Sequence, residues 1–508
     1  MSGVKAFSLL IIIAMLTNVT LVSGMNMTMG QKQATDNTSE FQKKLDSQVP
    51  DLLKKYGVPG VKIAVIEGDK VWEKEYGYAD KSAKKLISAN TIFQVGSVSK
   101  MVTAWGAMKL VDQGKINLDT PVEEYLTRWH LPKSQYNSEG VTLRRILSHT
   151  AGLSLQGYAG AAPSKKLVSI EESLSGRTYG AGDVRIIYEP GSRFQYSGGG
   201  YTLLQLMIEE VSGMPFEKYM EQEVLKPLGM NNSAFEWKDE FKANMSKAYG
   251  VLGQTLPNYL FTEKAAAGLF TTAADLAKFE MAVMNVSGEE PAGRGVVKPE
   301  TVALMTTSVT NADWGLGYQM IDLPNGETAV GHGGTNRGWR AQLVEIPDKK
   351  QGLVILTNSD MGDNVIGEIA ALWMEQQTGG LPDFYSNMHS MDRSTLMLAV
   401  ILGFLFVAAS MLVANSIMKG KRQYAYLKDK KMGKKILRIL APVLITAAWW
   451  IGLYGPIVRG WNVAGFLPAS LKWVTLAVTL WCMLLLVIAV LPKKNKKKSV
   501  DNKLNIDS

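Results

Sequence analysis

The 508-residue chain has very few of the side chains that provide thiol or imidazole chemistry. Its one cysteine, Cys482, lies in an apolar stretch, and its four histidines are scattered along the sequence. A single cysteine excludes intrachain disulfides and argues against a thiol nucleophile or a cysteine metal site. The scattered histidines give no zinc pattern, so we expect neither a metal nor a cofactor.

The chain also lacks a general excess of positive charge, although its formal net charge is +9. Residues 419–435 carry +7 and residues 493–508 carry +4, so the rest of the chain is slightly acidic. A nucleic-acid-binding surface needs clustered positive charge. We therefore expect no nucleic-acid partner.

Long apolar runs, in contrast, are abundant. Residues 1–24 combine Lys5, an apolar run and small residues before a cleavage point, which is the pattern of a secretory signal peptide. An uncleaved anchor is the alternative. Residues 394–418, 439–458 and 473–492 carry no charge, and each run is long enough to cross a bilayer. We expect three transmembrane helices.

The charges around these runs predict their orientation. A loop at 419–438 and a tail at 493–508 are rich in lysine and arginine, and such segments stay in the cytoplasm. A secreted region followed by three crossings also ends inside. We therefore expect a multi-pass cell-membrane protein with a cytoplasmic C-terminus and everything before residue 394 outside the cytoplasm.

A polar spacer at 25–40 precedes the largest region, 41–385, which we expect to form one domain. Apolar alternation predicts strands near both ends of this region, and helical patterns dominate between about 90 and 310. The predicted strands are 60–66, 71–78, 314–321, 327–330, 339–345 and 352–356, and the main predicted helices are 41–56, 101–111, 202–211 and 363–377. This order predicts an α+β fold, with an antiparallel sheet covered by helices beside a helical lobe.

Within this domain, one serine and one lysine are spaced for nucleophilic chemistry. Ser-x-x-Lys occurs at Ser2, Ser82, Ser97 and Ser416, but only Ser97 follows a strand-like stretch and a glycine and precedes a long apolar helix. A lysine three residues later lies on the same helical face, where it can take the hydroxyl proton. Ser97 and Lys100 are therefore the predicted nucleophile and its proton partner.

Three further segments supply possible partners for this pair. Residues 194–201 present Tyr196 on a loop before a helix. Residues 330–336 place His332 before two glycines on a predicted strand, where a substrate backbone can approach closely. Residues 147–153 end a helix at a glycine, and we expect His149 there to be structural.

Six segments resemble the serine β-lactamase and penicillin-binding family, specifically its class C branch: residues 93–100, 147–153, 188–201, 224–230, 266–279 and 331–336. The resemblance implies that Ser97 is acylated, that Lys100 is its proton partner, and that Tyr196 acts as a base if a neighbouring ammonium, that of Lys100, favours its phenolate. It also implies an oxyanion hole formed by the backbone N–H groups of Ser97 and Thr335.

The same resemblance implies a set of substrate-binding residues. They are Gln94, Ser197, Gly198, His332, Gly333, Gly334 and Asn336. Gly198 stands where lactamases carry an amide side chain, and His332 stands where they carry lysine, so we do not expect efficient β-lactam hydrolysis. Whether His332 is partly protonated or only shapes the groove is left open.

The signal peptide, catalytic domain and three spans together resemble membrane-anchored peptidases that remove an acyl-D-asparagine cap from nonribosomal peptide and polyketide products. Neutral Gln94 departs from the acidic residue of the best-known form. We expect a peptide or peptide-like substrate with a D-amino acid. The alternatives are a D-alanyl-D-alanine carboxypeptidase or penicillin-binding protein, a weak β-lactamase, an esterase, or a non-enzymatic receptor for cell-wall fragments.

Overall fold

The computed structural model describes residues 37–178, 181–285, 291–309, 313–423, 432–455, 468 and 470–494. The predicted signal peptide, residues 25–36 of the predicted spacer, and residues 424–431, 456–458 and 495–508 of the predicted membrane region lie outside the described residues. The chain divides into two units, Met1–Gln42 and Lys43–Ser508. All contacts discussed below lie within the second unit.

Eleven strands are assigned among the described residues. They are β1 (Gly60–Glu67), β2 (Lys70–Asp80), β3 (Lys85–Leu86), β4 (Phe93–Gln94), β5 (Ala248–Tyr249), β6 (Thr255–Leu256), β7 (Phe270–Thr271), β8 (Gln319–Asp322), β9 (Thr328–Asn336), β10 (Trp339–Ile346) and β11 (Gln351–Thr357).

Thirteen α-helices are assigned in the same part of the chain. They are α1 (Asn37–Tyr56), α2 (Val98–Asp112), α3 (Leu143–Leu147), α4 (Ile170–Leu174), α5 (Gly198–Ser212), α6 (Phe216–Met220), α7 (Lys264–Ala267), α8 (Ala273–Val283), α9 (Pro299–Met305), α10 (Gly362–Thr378), α11 (Asp383–Met418), α12 (Met432–Ala447) and α13 (Leu471–Val490). A π-helical segment, Ala448–Tyr454, continues α12 directly.

Strands from both ends of the domain form one seven-stranded antiparallel sheet, in the order β3-β2-β1-β11-β10-β9-β8. Helix α8 packs on β1 and β11, and α10 packs on β10 and β11. Helices α2, α5 and α7 pack together beside the sheet. The predicted α+β fold, with its helix-covered antiparallel sheet and helical lobe, is confirmed.

The strand predicted at 314–321 is wrong in its first half, because β8 begins only at Gln319. A tight turn replaces it. The Gly315 N–H donates to the Tyr318 carbonyl at 2.8 Å, and the Gly317 N–H donates to the Leu147 carbonyl at 3.1 Å. Gly317 has a φ of 92°, a conformation that favours glycine. This turn places Trp314 against β9 instead of extending β8.

At the C-terminal end, three helices are long and apolar enough to cross a membrane: Tyr385–Met418, Ile436–Tyr454 and Leu471–Val490. Helix α13 packs against both α11 and α12. Their outward surface carries exposed apolar side chains such as Phe404, Leu412 and Ile451, each at least 70% exposed. A continuous run of exposed apolar side chains on a folded surface indicates contact with lipid or with another protein.

Candidate active site

Ser97 and Lys100 lie at the start of α2 and are in direct contact. The Lys100 Nζ is 3.0 Å from the Ser97 Oγ and donates a 2.7 Å hydrogen bond to the Ala266 carbonyl. Lys100 is buried, and burial lowers the pKa of its ammonium to about 7 because an unpaired charge is disfavoured away from water. Near neutral pH, much of Lys100 is therefore uncharged and able to accept the Ser97 proton.

Tyr196 completes a hydroxyl, amine and phenol group around Ser97. Its phenol is hydrogen-bonded to the Ser97 side chain, and the Lys100 Nζ lies 5.1 Å from the ring centroid. Burial raises the pKa of the Tyr196 phenol above its ordinary value, and the hydrogen bond to Ser97 opposes this only in part. The predicted pair of a Lys100 ammonium and a Tyr196 phenolate is therefore not supported, since burial favours the neutral form of both groups.

His149 holds Tyr196 from two sides. The His149 carbonyl accepts a 2.7 Å hydrogen bond from the Gln195 N–H, and the His149 Nδ1 accepts a 3.1 Å hydrogen bond from the Ser197 N–H. The imidazole also lies on the phenol, with 4.2 Å between the ring centroids. His149 adopts a φ of 57°, which is uncommon for a residue with a side chain. It is structural, as predicted, but its structural role is to position Tyr196.

Trp314 and Phe194 extend an aromatic wall beyond these residues. The Trp314 ring centroid lies 5.1 Å from that of His149, 5.4 Å from that of His332 and 5.3 Å from that of Phe194. Phe194 is 36% exposed and forms the outer end of this wall. Sequence reasoning missed both rings; the signal for Trp314 was the pair of following glycines, Gly315 and Gly317, which indicates a turn rather than a strand.

His332 is neutral in this site. Its pKa is lowered to about 3, first by burial and then by the nearby Lys100, and its Nδ1 is 2.5 Å from the Gly333 carbonyl. Because a carbonyl can only accept, the Nδ1 carries the proton. The interpretation of His332 as a partly protonated group is therefore wrong, and a role in shaping the groove remains.

The two predicted oxyanion-hole residues lie on segments that touch. A Cβ on Gly96 would lie 2.5 Å from the Thr335 backbone nitrogen, and a Cβ on Gly334 would lie 1.9 Å from the Val95 carbonyl oxygen. Gly96 also has a φ of 51°. The absence of side chains at these two glycines therefore allows the turn before Ser97 to pack directly on β9. The N–H groups of Ser97 and Thr335 as an oxyanion hole stay a prediction.

Two predicted substrate contacts, Gln94 on β4 and Asn336 on β9, are buried. The Gln94 amide donates to the Tyr259 carbonyl at 2.8 Å, while the Asn336 amide donates to the Gln94 Oε1 and to the Ala267 carbonyl, both at 3.1 Å. Gln94 and Asn336 are 2% and 1% exposed. The Gln94 amide is therefore held in a buried hydrogen-bond network with Asn336, and contact of either residue with substrate stays a prediction. The Asn336 Oδ1 has no hydrogen-bond partner.

Ser197 and Gly198 also have structural roles. The Ser197 Oγ donates to the Ser154 carbonyl at 2.6 Å and accepts from the Gly200 N–H at 2.9 Å, which caps α5. A Cβ on Gly198 would lie 2.9 Å from the Gln156 carbonyl oxygen. The space for a side chain at this position is therefore filled by the backbone at Gln156. Contact of Ser197 and Gly198 with substrate stays a prediction.

Among the remaining predicted contacts, Gly333 is partly exposed on β9, and its contact with substrate stays a prediction. Within the described part of the chain, no group of three or more His, Cys, Asp or Glu side chains could hold a metal ion.

A helix-covered antiparallel sheet, a serine and a lysine at the start of a buried helix, and a tyrosine beside them are the features of a β-lactamase/transpeptidase-type protein. The chain belongs to the Beta-lactamase family, whose model matches residues 45–372.

Relatives with similar sequences cover much of the same region. The chain is 25% identical over 336 residues to "Protein flp" of Staphylococcus aureus (strain MRSA252), covering 63% of this chain and 64% of that protein. It is 31% identical over 265 residues to the putative penicillin-binding protein PbpX of Bacillus subtilis (strain 168), covering 50% of this chain and 63% of the relative. The matched region thus spans less than two thirds of the length of each of these relatives.

Solved structures share the fold. An octameric penicillin-binding protein homologue from Pyrococcus abyssi matches with a TM-score of 0.57 and 28% identity, over 69% of this chain and 81% of that one. SurE with D-Leu matches with a TM-score of 0.54 and 24% identity, over 66% of this chain and 76% of that one. A class C beta-lactamase matches with a TM-score of 0.56 and 21% identity, over 67% of this chain and 98% of that one. The last two similarities show the fold alone.

Proposed function

We propose that this protein is a serine hydrolase that works through an acyl-enzyme. The observation that carries the proposal is the 3.0 Å contact between the Lys100 Nζ and the Ser97 Oγ, together with the Lys100 pKa of about 7. A general base is most effective when its pKa lies near the working pH. Burial supplies this match without a neighbouring charge.

In the proposed acylation step, the Ser97 Oγ forms a bond to the carbonyl carbon of the substrate and its proton moves to the Lys100 Nζ. The oxyanion accepts hydrogen bonds from the N–H groups of Ser97 and Thr335, and each such donor is worth about 3 to 4 kcal/mol of barrier height. When the carbon–nitrogen bond breaks, the leaving amine takes the proton from Lys100. The neutral Tyr196 phenol orients the Ser97 hydroxyl.

Deacylation repeats these steps with water as the nucleophile. Water attacks the ester carbonyl, its proton moves to Lys100, and the Ser97 oxygen leaves and recovers that proton. The Lys100 hydrogen bond to the Ala266 carbonyl keeps the amine directed at Ser97 throughout. Thus Lys100 handles the proton in both halves of the reaction.

We further propose that the bond cleaved is an amide next to a D-amino acid in a peptide or peptide-like molecule. The resemblance to prodrug-activating peptidases supports this substrate class. Neutral His332 provides no fixed positive charge for a terminal carboxylate, which disfavours a carboxypeptidase. Gly198 carries no amide side chain that could bind the acylamino group of a β-lactam, and the backbone at Gln156 fills the space where such a side chain would begin.

The location is also part of the proposal. Three apolar helices could anchor the domain, and the basic segments next to them indicate cytoplasmic ends. The catalytic domain would then act outside the cytoplasm.

A fluorophosphonate probe applied to membranes that contain the full chain tests the serine chemistry. We expect the wild type to be labelled, Ser97→Ala to be unlabelled, and Ser82→Ala, the control at another Ser-x-x-Lys sequence, to be labelled like the wild type. Equal labelling of Ser97→Ala would overturn the proposal. Acyl-D-aminoacyl amides, their L-enantiomers, D-alanyl-D-alanine peptides and nitrocefin then separate the proposed peptidase from the alternatives.

A further inference from the structure

A cavity of about 260 Å³, lined by both apolar and charged side chains, lies where the catalytic domain meets the first apolar helix. It is far in sequence from Ser97 and is lined by residues of α1, α10 and α11 and by Pro468. The packing at this junction is close, because a Cβ on Gly367 of α10 would lie 2.7 Å from the Met388 Cε of α11. The cavity is therefore bounded by packed elements.

Carboxylates on two sides of the cavity are held in fixed positions. The Tyr56 hydroxyl donates to the Glu368 Oε1 at 2.8 Å, and the His389 Nε2 is 3.3 Å from the Glu368 Oε2. The Asp392 Oδ1 accepts from the Ser470 N–H at 2.9 Å and from the Ser470 Oγ at 2.8 Å. The Lys55 Nζ also lies 3.6 Å from the Glu368 Oε1, so these two side chains form an ion pair that a bound ligand would exchange for its own ammonium and phosphate groups.

Hydrogen-bond donors also face the cavity. Asn364 is 7% exposed, yet its Nδ2 has no hydrogen-bond partner, and a buried unpaired donor is costly unless a ligand or water meets it. Lys55 and Arg393 add two exposed cations to the lining. The amide and these cations can bind an anionic oxygen group such as phosphate.

The lining therefore combines two cations with two carboxylates, a charge pattern that is complementary to a zwitterion. Its position indicates which zwitterion, because the uncharged run of α11 begins at Ser394, immediately after Arg393. The cavity thus lies at the level where the helix enters the bilayer, if α11 crosses the membrane as proposed. Phospholipid headgroups occupy that level.

We propose that this cavity binds the phosphoethanolamine headgroup of a membrane phospholipid. Lys55, Arg393 and the Asn364 amide take the phosphate, and the carboxylates of Glu368 and Asp392 take the primary ammonium. A primary amine can donate hydrogen bonds to carboxylates, whereas a choline group cannot, so the site discriminates against choline lipids.

Native mass spectrometry of the full chain in detergent, titrated with short-chain phosphatidylethanolamine, phosphatidylcholine or phosphatidylglycerol, tests the proposal. We expect retention of the ethanolamine lipid to exceed that of the other two by about fivefold or more, the range that one or two exposed charge contacts provide. Equal retention of the three lipids, or retention of none, would overturn it. Binding of free glycerophosphoethanolamine but not of the lipid would reject a membrane source.

Variants separate this site from unspecific lipid contact. Lys55→Gln, Arg393→Gln and Asn364→Leu should each lower retention of the ethanolamine lipid by about threefold or more. Lys54→Gln, the neighbouring lysine that does not line the cavity, should leave retention unchanged, and an equal loss there would contradict the assignment. Ser97→Ala should retain lipid like the wild type, because lipid binding at this cavity does not depend on the serine nucleophile. Failure of the lipid proposal can therefore be distinguished from failure of the proposed hydrolase activity.

Discussion

At the scale of single residues, burial rather than charge pairing determines the chemistry of this site. Lys100, Tyr196, His149 and His332 are all shifted toward their neutral forms, with burial as the largest cause for each. A neutral amine can accept a proton, and a neutral phenol can orient the hydroxyl. The site is therefore poised for proton transfer with little electrostatic attraction for a charged substrate.

The pH dependence of acylation should report Lys100 directly. Its pKa is lowered to about 7, and only the uncharged amine accepts a proton, so kcat/KM should rise as the pH passes through about 7 and level off above it. Lys100→Arg stays protonated, and we expect a loss of at least about a hundredfold. A pH–rate series with the exposed Lys115→Arg as control checks this. A rise near pH 10 in the wild type would contradict it.

His149 should affect the rate only through Tyr196. His149→Phe removes the acceptor of the Ser197 N–H, and an unpaired buried donor costs about 1 to 3 kcal/mol. We expect kcat to fall about tenfold or more with KM little changed. His149→Asn, which tolerates a positive φ and keeps an acceptor, should restore part of the rate.

A double-mutant cycle distinguishes this positioning role from general destabilisation. In a Tyr196→Phe background, His149→Phe should cause little further loss of kcat, because the residue that it positions no longer carries the phenol oxygen. Full additivity of the two losses would show that His149 acts elsewhere.

At the scale of elements, local patterns predicted the secondary structure and tertiary contacts determined the details of the site. The apolar periodicity indicated α2 and α5, and alternation indicated the strands of the sheet. The turn at Trp314 was not predictable in this way, because it depends on a hydrogen bond from Gly317 to Leu147, far away in sequence. For the same reason, sequence spacing identified Ser97, Lys100 and Tyr196 but not the partners that fill the space around Gly198.

The start of α5 illustrates the limit of local propensity. Three consecutive glycines predict a loop, since each glycine in a helix costs about 0.5 to 1 kcal/mol relative to alanine, yet Gly198 to Gly200 are helical. The Ser197 side chain caps the first turn. Gly198 and Gly199 approach the carbonyls of Gln156 and Ser154, where a Cβ would lie at 2.9 and 2.8 Å. Close packing therefore requires these glycines.

Matched alanine substitutions test this packing. Gly198→Ala places its Cβ 2.9 Å from a backbone oxygen and should destabilise the domain by about 1 to 3 kcal/mol. Gly200→Ala on the same helix meets only ordinary contacts, 3.5 Å or longer, and should be neutral or slightly stabilising. Thermal unfolding of the two variants measures the difference, and equal midpoints would show that the 156–157 backbone yields easily.

At the scale of the whole molecule, the helix ends indicate how the C-terminal region is arranged. The start of α13 contacts α11 through the Ser470 N–H and the Asp392 Oδ1 at 2.9 Å. At the other end, the Lys494 N–H donates to the Lys421 carbonyl at 2.9 Å. Helices α11 and α13 therefore run parallel, and their basic ends lie side by side. If the three helices cross a membrane as proposed, Lys421 and Lys494 should lie on the same side of it, which we expect to be the cytoplasmic side.

Single cysteines can test that orientation, because the natural sequence has only Cys482. In a Cys482→Ser background, Ser386→Cys lies before the apolar run and should react with a membrane-impermeant maleimide in intact cells. Lys421→Cys and Lys494→Cys should react only after the cells are permeabilised, since basic segments remain in the cytoplasm. Labelling of Lys494→Cys in intact cells would place the two basic segments outside the cell and the catalytic domain inside it, which is the reverse of the proposed orientation.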